Sequence, residues 1–325
     1  MYKRQDGYCS LREAIQAANT NAAVDACPAG SSSETDMITF AAATDGDPII
    51  LTGPAAENAN VSGDLDVLDG GDLVIQGNGI DNTIIDGDGI DRVFHICPGG
   101  SCDNRVTLSG ITIQNGTVTL SGGGGLRNEG GTTTLDASAI LTSIAVNGGG
   151  IANFATLKLQ NGTHIGEPGA GNWAYASNGG GIYNYAGTTT IDASSVISNT
   201  AANNGGGIWS QVTLNVQNGS LIGSNAAEGT DPEDGGGGIY SYAGTTTVDS
   251  SDVNSNTARR GGGLYTHLDS TTMVNGSSVS GNTAISGGGI YNNGTTTVDS
   301  STVSDNTANA NGGGIYNDDL LHVQN

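Results

Sequence analysis

Four aspartates recur at regular intervals along this chain, and their spacing makes them candidate catalytic residues. Asp136, Asp192, Asp249 and Asp299 each end a threonine-rich run. Two carboxylates about 5 to 10 Å apart can share the acid and base roles of glycoside hydrolysis. A catalytic pair occurs once in an enzyme, whereas these aspartates recur as part of a repeat. The pattern therefore favours solvated surface charge, with a carbohydrate-active lyase or hydrolase as the alternative.

A second group of aspartates lies in two short acidic stretches nearer the amino end. Clustered carboxylates can hold Ca²⁺, which takes only oxygen ligands. Neither stretch has the spacing of a known calcium loop, and Asp-Gly pairs are also ordinary turn residues. Calcium is the single cofactor that the sequence leaves open. The candidate calcium ligands are Asp64, Asp66, Asp69, Asp86 and Asp88.

Threonines accompany the recurring aspartates. Alternate side chains of a strand point to opposite faces, so Thr295, Thr297 and Asp299 share one face, predicted to be the outer one. Such an array could bind a ligand or ice, although exposed threonine also simply favours strands. Intervening repeats interrupt the array with Lys158 or Asn215. The candidate binding residues are Thr188, Thr190, Asp192, Thr245, Thr247, Asp249, Thr295, Thr297 and Asp299.

A repeat of 25 to 31 residues must position these side chains. Each unit begins with three glycines, an aliphatic residue, usually an aromatic residue and a small polar residue. A period of this size indicates a stack of similar units. In the unit from Gly287 to Asn311, the runs GIYN, TTTVDS and TVSDNTA have the composition of short strands, and none has helical periodicity. Three short strands per turn predict an all-β parallel β-helix. The aliphatic residues are Leu126, Ile151, Ile182, Ile208, Ile239, Leu264, Ile290 and Ile315.

The same alternation predicts the interior of the coil. Val298 belongs to the inward set, together with Leu135, Ile191 and Val248. The small polar residue that follows the aromatic position is predicted to form a ladder of hydrogen bonds along the stack. The tyrosines of the aromatic position, with Trp209, are expected to pack at a turn, and a sugar-stacking strip is the alternative. The polar ladder comprises Asn128, Asn153, Asn184, Ser210, Ser241, Thr266, Asn292 and Asn317.

The net charge of the chain argues against some classes of binding partner. The 325 residues carry a net charge of −23, with nine basic residues. Nucleic acids and anionic membranes need a basic surface, so neither is expected as a partner. No apolar run is long enough to span a bilayer, so no direct membrane insertion is expected.

The four cysteines fall into two local pairs, Cys9 with Cys27 and Cys97 with Cys102. An even number of cysteines in local pairs predicts disulfides and an oxidising compartment, hence a secreted or cell-surface protein. Reduced cytosolic thiols are the alternative. A zinc site is disfavoured, because the four histidines are scattered and no CxxC motif occurs.

The segment CSLREAIQAAN, residues 9 to 19, predicts a short amphipathic helix. Ser10 and Glu13 form a capping box, and Leu11, Ile15 and Ala18 share one helical face. An open solenoid end would expose apolar surface, so we expect this helix to cap the first turn.

CSLREAI also resembles the CSLREA domain that opens many secreted bacterial β-helix proteins. The repeat GGGIYN…TVDSSTVSDNTA resembles repeats of the polymorphic outer-membrane-protein type. The resemblance implies a right-handed parallel β-helix, export and attachment to the cell surface. It implies no catalytic residue.

Both ends depart from that pattern, since no signal peptide is evident and the last run, LLHVQN, carries no anchor. MYKRQ back-translates readily to a sequence resembling a transposase sequencing adapter, which indicates a metagenomic fragment. The expected organisation is a non-native leader (1–5), a CSLREA cap (6–37) and a parallel β-helix truncated at its carboxyl end (38–325).

Three functions follow as hypotheses. The favoured one is an extracellular or cell-surface structural rod of adhesin type, without catalysis, with a cell-surface or glycan ligand. The alternatives are a carbohydrate-active β-helix and an ice-binding solenoid.

Overall fold

The computed structural model describes residues 8–53, 58–68 and 70–324, and within them the chain is a parallel β-solenoid with one short helix. Every paired strand runs parallel to its neighbours, consistent with the predicted right-handed parallel β-helix. The predicted leader, residues 1–5, lies outside the described residues.

Along a turn of the coil the strands lie on up to four faces, which we label sheets A to D in the order in which the chain enters them; A and B are continuous with each other. Sheet A contains the GIYN-type runs and sheet B the TTTVD-type runs. Two long strands, Ile239–Asp249 and Leu264–Asn275, pass through the corner and belong to both sheets. The other strands of sheet A are Leu65–Val67, Phe94–Ile96, Leu126–Asn128, Ile151–Asn153, Ile182–Asn184, Ile208–Ser210, Ile290–Asn292 and Ile315–Asn317. The other strands of sheet B are Asp36–Thr39, Leu73–Gln76, Arg105–Ser109, Thr132–Asp136, Thr156–Gln160, Thr188–Asp192, Thr213–Gln217, Thr295–Asp299 and Leu320–Gln324.

Sheets C and D complete each turn. Sheet C contains Ile49–Ile50, Ile84–Asp86, Thr112–Gln114, Ala139–Leu141, His164–Ile165, Ser195–Ile197, Leu221–Gly223, Asp252–Asn254, Ser278–Ser280 and Thr302–Ser304. Sheet D is shorter and falls into two parts, Ile144–Ala145, Trp173–Ala174, Thr200–Ala201 and Ala226–Ala227, followed by Thr283–Ser286 and Thr307–Asn311. A single 3₁₀ turn, Ala42–Thr44, lies near the amino end.

The expectation of three strands per turn is wrong, because the TVSDNTA-type run forms two strands. The chain bends between sheets C and D at a residue with positive φ, such as Ser198 or Ser224. On six successive turns an asparagine follows the bend, and the side-chain N–H₂ of each of the first five donates to the asparagine oxygen of the next turn at 2.9 to 3.1 Å; all six are buried except the half-buried last one, Asn306. These asparagines are Asn172, Asn199, Asn225, Asn256, Asn282 and Asn306.

The predicted polar ladder is present at the corner between sheets A and B. Asn128 donates to Asn153 at 2.8 Å and Asn153 to Asn184 at 3.0 Å, and all three are fully buried. Ser241 and Thr266 instead bond to a threonine of their own turn. Buried amides that are paired in this way avoid a desolvation cost of about 1 to 3 kcal/mol each.

The interior is one continuous aliphatic cluster along the axis. Val298, Leu135, Ile191 and Val248 point inward and are buried, as the alternation predicts. The glycine triplets allow turns to approach at the corner between sheets D and A. Gly205 has φ 64°, and a Cβ on Gly206 would lie 2.4 Å from the backbone of Ala226.

The predicted helix is Leu11–Thr20. Its capping box is formed, and Leu11, Ile15 and Ala18 are buried against the first turns. Asn19 ties the helix to sheet A, because its amide donates to the carbonyl of Asp66 and accepts from the N–H of Leu68. The helix therefore covers the amino end of the coil.

Candidate functional site

One outward row of sheet A runs from end to end of the coil and changes its chemistry on the way. Asp66, His95 and Arg127 are paired in register on three successive turns, followed by Ala152. From the next turn onward every residue of the row is aromatic. The aromatic residues are Tyr183, Trp209, Tyr240, Tyr265, Tyr291 and Tyr316.

The first half of the row belongs to a buried group that we call the charged cluster: Asp64, Asp66, Arg92, His95, Arg127 and Glu129. His95 Nδ1 lies 3.6 Å from Asp66 Oδ1 and 4.0 Å from Asp64 Oδ2, while His95 Nε2 lies 3.5 Å from Glu129 Oε2. Arg92 Nε approaches Asp64 Oδ2 to 3.0 Å, and Arg127 pairs with Glu129.

Burial shifts the protonation equilibria of the cluster. It lowers the pKa of His95 to about 4, and the nearby Arg92 guanidinium acts in the same direction, so the imidazole is neutral near pH 7. Burial alone would raise the pKa of Glu129, but the N–H of Gly99 and the Arg127 guanidinium bring it below its ordinary value. The cluster thus presents a neutral imidazole to the ionised carboxylate of Glu129.

The predicted calcium residues do not form one site. Asp64 and Asp66 lie in the charged cluster, whereas Asp86 ends a strand of sheet C and accepts hydrogen bonds from Gln114 and Asn115. Asp88 is exposed in the turn that follows, and Asp69 lies outside the described residues. Within the described chain, the residues close enough to share an ion are Asp64, Asp66 and His95, whose ligand atoms lie within 4.8 Å of one another.

Sequence reasoning missed His95, although a signal was present. Aligning the runs LDV, FHI and LRN with IYN places Asp66, His95 and Arg127 at the position that carries tyrosine elsewhere. The expectation that the histidines are scattered holds in sequence, but the fold brings this one against two carboxylates.

The second half of the row is a stack of aromatic rings. Ring centroids are 4.6 Å apart for Tyr183 and Trp209 and for Tyr240 and Tyr265, and 5.0 Å apart for Tyr265 and Tyr291. Trp209 is buried, so it packs in the stack as expected and is not a free sugar platform. Burial raises the pKa of Tyr183 to about 12 and also raises the pKa values of Tyr240, Tyr265 and Tyr291.

A second aromatic column lies beside the stack, two residues further along each unit. We call Phe154, Tyr185, Tyr242 and His267 the outer aromatic column. Tyr185 and Tyr242 are 43% and 41% exposed. Their rings contact the inner stack: Tyr185 lies 5.9 Å from Tyr183, and Tyr242 lies 5.4 Å from Trp209. Tyr242 also stacks on His267 at 4.8 Å, so the column presents partly exposed rings that are held by their neighbours.

The predicted threonine and aspartate residues lie outward on sheet B and are half-buried. The aspartates do not stack on one another, because a glutamine or asparagine separates each from the next. Gln217 donates to Asp192, Asn275 to Asp249 and Gln324 to Asp299. The aspartate row is therefore a hydrogen-bonded part of the scaffold.

One outward threonine row is uninterrupted over more turns than the sequence predicts. At the first position of the sheet B strands, threonine occupies seven consecutive turns, whereas the next outward row contains the predicted interruptions, including Lys158 and Asn215. The seven residues are Thr132, Thr156, Thr188, Thr213, Thr245, Thr271 and Thr295.

Both predicted disulfides are formed, Cys9 with Cys27 and Cys97 with Cys102. The first joins the segments that flank the capping helix. The second closes the loop whose Gly99 N–H donates to Glu129 of the charged cluster. Both therefore lie at the amino end.

Comparison with protein families, curated proteins and solved structures finds no match to this chain. In the described part of the chain, no helix has the length and apolar character needed to cross a membrane.

Proposed function

We propose that the chain is an extracellular or cell-surface structural rod of adhesin type that catalyses no reaction. The observation that carries this proposal is that, among the described residues, the outward side chains of sheet B and of the aromatic stack on sheet A repeat along the axis. A repeated face suits a partner that is itself extended. Two disulfides agree with an oxidising, extracellular compartment.

The contact surface we propose is the outer aromatic column, and the ligand a cell-surface glycan. The exposed parts of these tyrosine rings can contact the apolar faces of sugars while their hydroxyl groups remain in water. Tyr185 and Tyr242 are two turns apart, about 10 Å at the usual strand spacing. The line between them runs along the axis of the coil, a direction that a linear polysaccharide could follow.

The test is binding of the full chain to an array of polysaccharides, compared with the Tyr185→Ala/Tyr242→Ala variant. We expect the double variant to lose at least tenfold in affinity for whichever glycan is bound. Trp173→Ala is the matched control, because Trp173 is 43% exposed but lies on sheet D. Equal loss in the control would contradict the proposed surface. Release of shortened or unsaturated sugars would favour the carbohydrate-active alternative.

The unbroken threonine row favours ice binding as a second candidate. Seven threonines at one rung spacing form a regular line of hydroxyl and methyl groups. Thermal hysteresis in the unmodified chain, abolished by Thr188→Tyr, would support this candidate. Absence of hysteresis in the unmodified chain would reject it.

A further inference from the structure

The imidazole of His95 is buried among charged groups that do not satisfy it. Its side chain is 7% exposed, and among the described residues neither ring nitrogen has a hydrogen-bond partner. The nearest acceptors, carboxylate oxygens of Asp66 and Glu129, are 3.6 and 3.5 Å away, which is too long for a strong hydrogen bond. A buried polar group in this state carries an unrecovered desolvation cost, which coordination of an ion would offset.

The spacing of the surrounding oxygens suits an ion. If a zinc ion lies about 2.1 Å from a nitrogen and about 2.2 Å from an oxygen, these two ligand atoms are at most about 4.3 Å apart. The distances from His95 Nδ1 to Asp66 and to Asp64, 3.6 and 4.0 Å, lie within that limit. One ligand atom from each of the three residues lies within 4.8 Å of the others.

The charge balance of the cluster also favours a cation. Within it, three carboxylates, from Asp64, Asp66 and Glu129, face two guanidinium groups, from Arg92 and Arg127. Three minus two leaves one net negative formal charge beside the imidazole of His95. Arg92 contacts Asp64 as an outer partner that holds a ligating carboxylate in place, an arrangement common around protein metal ions.

We propose that Asp64, Asp66 and His95 bind one divalent first-row transition-metal ion of the zinc class. Nitrogen together with carboxylate oxygen is the donor set of such ions, whereas calcium takes oxygen alone. This assignment changes both the ion and the ligands that the sequence indicated. The ion joins the strands Leu65–Val67 and Phe94–Ile96 in a buried position, where the N–H of Asn60 already donates to Asp66 Oδ2.

The experiment uses the tag-free full chain, stripped with a chelator and titrated with Zn²⁺, Ca²⁺ or Mg²⁺ while bound metal and thermal stability are measured. We expect one Zn²⁺ per chain and a rise in the unfolding temperature, with neither Ca²⁺ nor Mg²⁺ reproducing the effect. His95→Gln should weaken Zn²⁺ binding by at least about 100-fold, because loss of a ligand should cost no less than the roughly 10- to 100-fold typical of losing an outer partner. His164→Gln, a histidine of sheet C, should bind as the unmodified chain does.

X-ray absorption at the zinc edge of the unmodified chain keeps the proposal testable if His95→Gln fails to fold. An imidazole scattering signature together with oxygen ligands is expected. Absence of stoichiometric zinc, full binding by His95→Gln, or an all-oxygen coordination shell would each overturn the proposal.

Discussion

The two halves of the outward row of sheet A differ in which side chains can follow one another. Each side chain lies one strand spacing from its neighbours on the adjacent turns, so the residue types must tolerate that close contact. In the aromatic half the same ring recurs turn after turn, with centroids 4.6 to 5.0 Å apart where rings face each other directly. In the charged half no residue type recurs, and Asp66, His95 and Arg127 follow one another. Neutral rings gain from stacking on copies of themselves, whereas like charges at this distance repel.

The two halves also differ in what holds them. The charged half has the capping helix, both disulfides and buried ion pairs. The aromatic half depends on stacking, on the tyrosine hydroxyl partners Glu233 and Asp318, and on Arg260, which pairs with Glu233 and lies over the ring of Tyr291. Duplication of one unit can therefore extend the aromatic half, while the charged half needs a specific set of residues.

The largest expected loss of unfolding free energy follows removal of a central ring from the aromatic half. Tyr265 is fully buried between Tyr240 and Tyr291, so Tyr265→Ala should cost about 3 to 5 kcal/mol of unfolding free energy, the usual cost of a buried aromatic truncated to alanine. Chemical denaturation measures the loss. Tyr242→Ala, on the exposed outer column, should cost less than about 1 kcal/mol. Similar losses in both variants would show that stacking is not the source of stability.

Removing one partner of an ion pair in the charged half should destabilise the folded chain. Arg92→Met leaves Asp64 buried without its guanidinium, and we expect a loss of about 3 kcal/mol. Adding Asp64→Asn should recover most of that loss, because the charge left behind is then removed. Urea unfolding of the single and double variants provides the measurement, and additive losses would contradict the interpretation.

The aromatic half should also make the chain sensitive to alkali. Burial raises the pKa of Tyr183 to about 12, above its ordinary value of 10.0, so the folded state holds a proton that the unfolded state releases. Its contribution is therefore complete below pH 10 and is lost as the pH rises towards 12. For this partly exposed group we expect about 1 to 2 kcal/mol, discounted for solvent screening.

Unfolding at pH 9 and pH 11.5, with phenolate absorbance followed in parallel, would measure the loss. Tyr183→Phe should lose less stability between these two pH values than the unmodified chain. An identical loss would assign the alkaline effect to other groups.

The smallest expected effect tests, on sheet B, whether like charges on adjacent turns repel each other. Gln217→Glu places a carboxylate next to Asp192 and should cost about 0.5 to 1 kcal/mol, less at high salt. Asn215→Asp is the matched control, because its neighbours across the strands are Thr190 and Thr247. Thermal unfolding at low and high salt distinguishes the two variants, and equal shifts would mean that alternation of acid and amide has no electrostatic role.

Much of the architecture could be predicted because it repeats. Alternation within TTTVDS assigns Val298 inward, and the period places Asn128 over Asn153, as the structure confirms. The bend at Ser198 was missed, because positive φ at a serine leaves little mark in composition and TVSDNTA has strand propensity throughout.

The amino end was harder to predict, because its residues do not repeat. Asp86 and Asp64 look equivalent in an acidic stretch, yet one lies on sheet C and the other in the charged cluster. Asp66 and His95 occupy the same position of the repeat, but this is visible only when LDV and FHI are aligned with IYN, because the runs share no residue at that position.

The sequence by itself determined the period, the alternation within each strand, the helical cap and the pairing of neighbouring cysteines. These depend on backbone preferences and on residues a short distance apart. Only the tertiary structure decided which chemistry shares a row, because parallel pairing brings residues about 30 positions apart to one strand spacing. It also decided burial, which removes water from His95 and from the tyrosine hydroxyls and so sets their protonation.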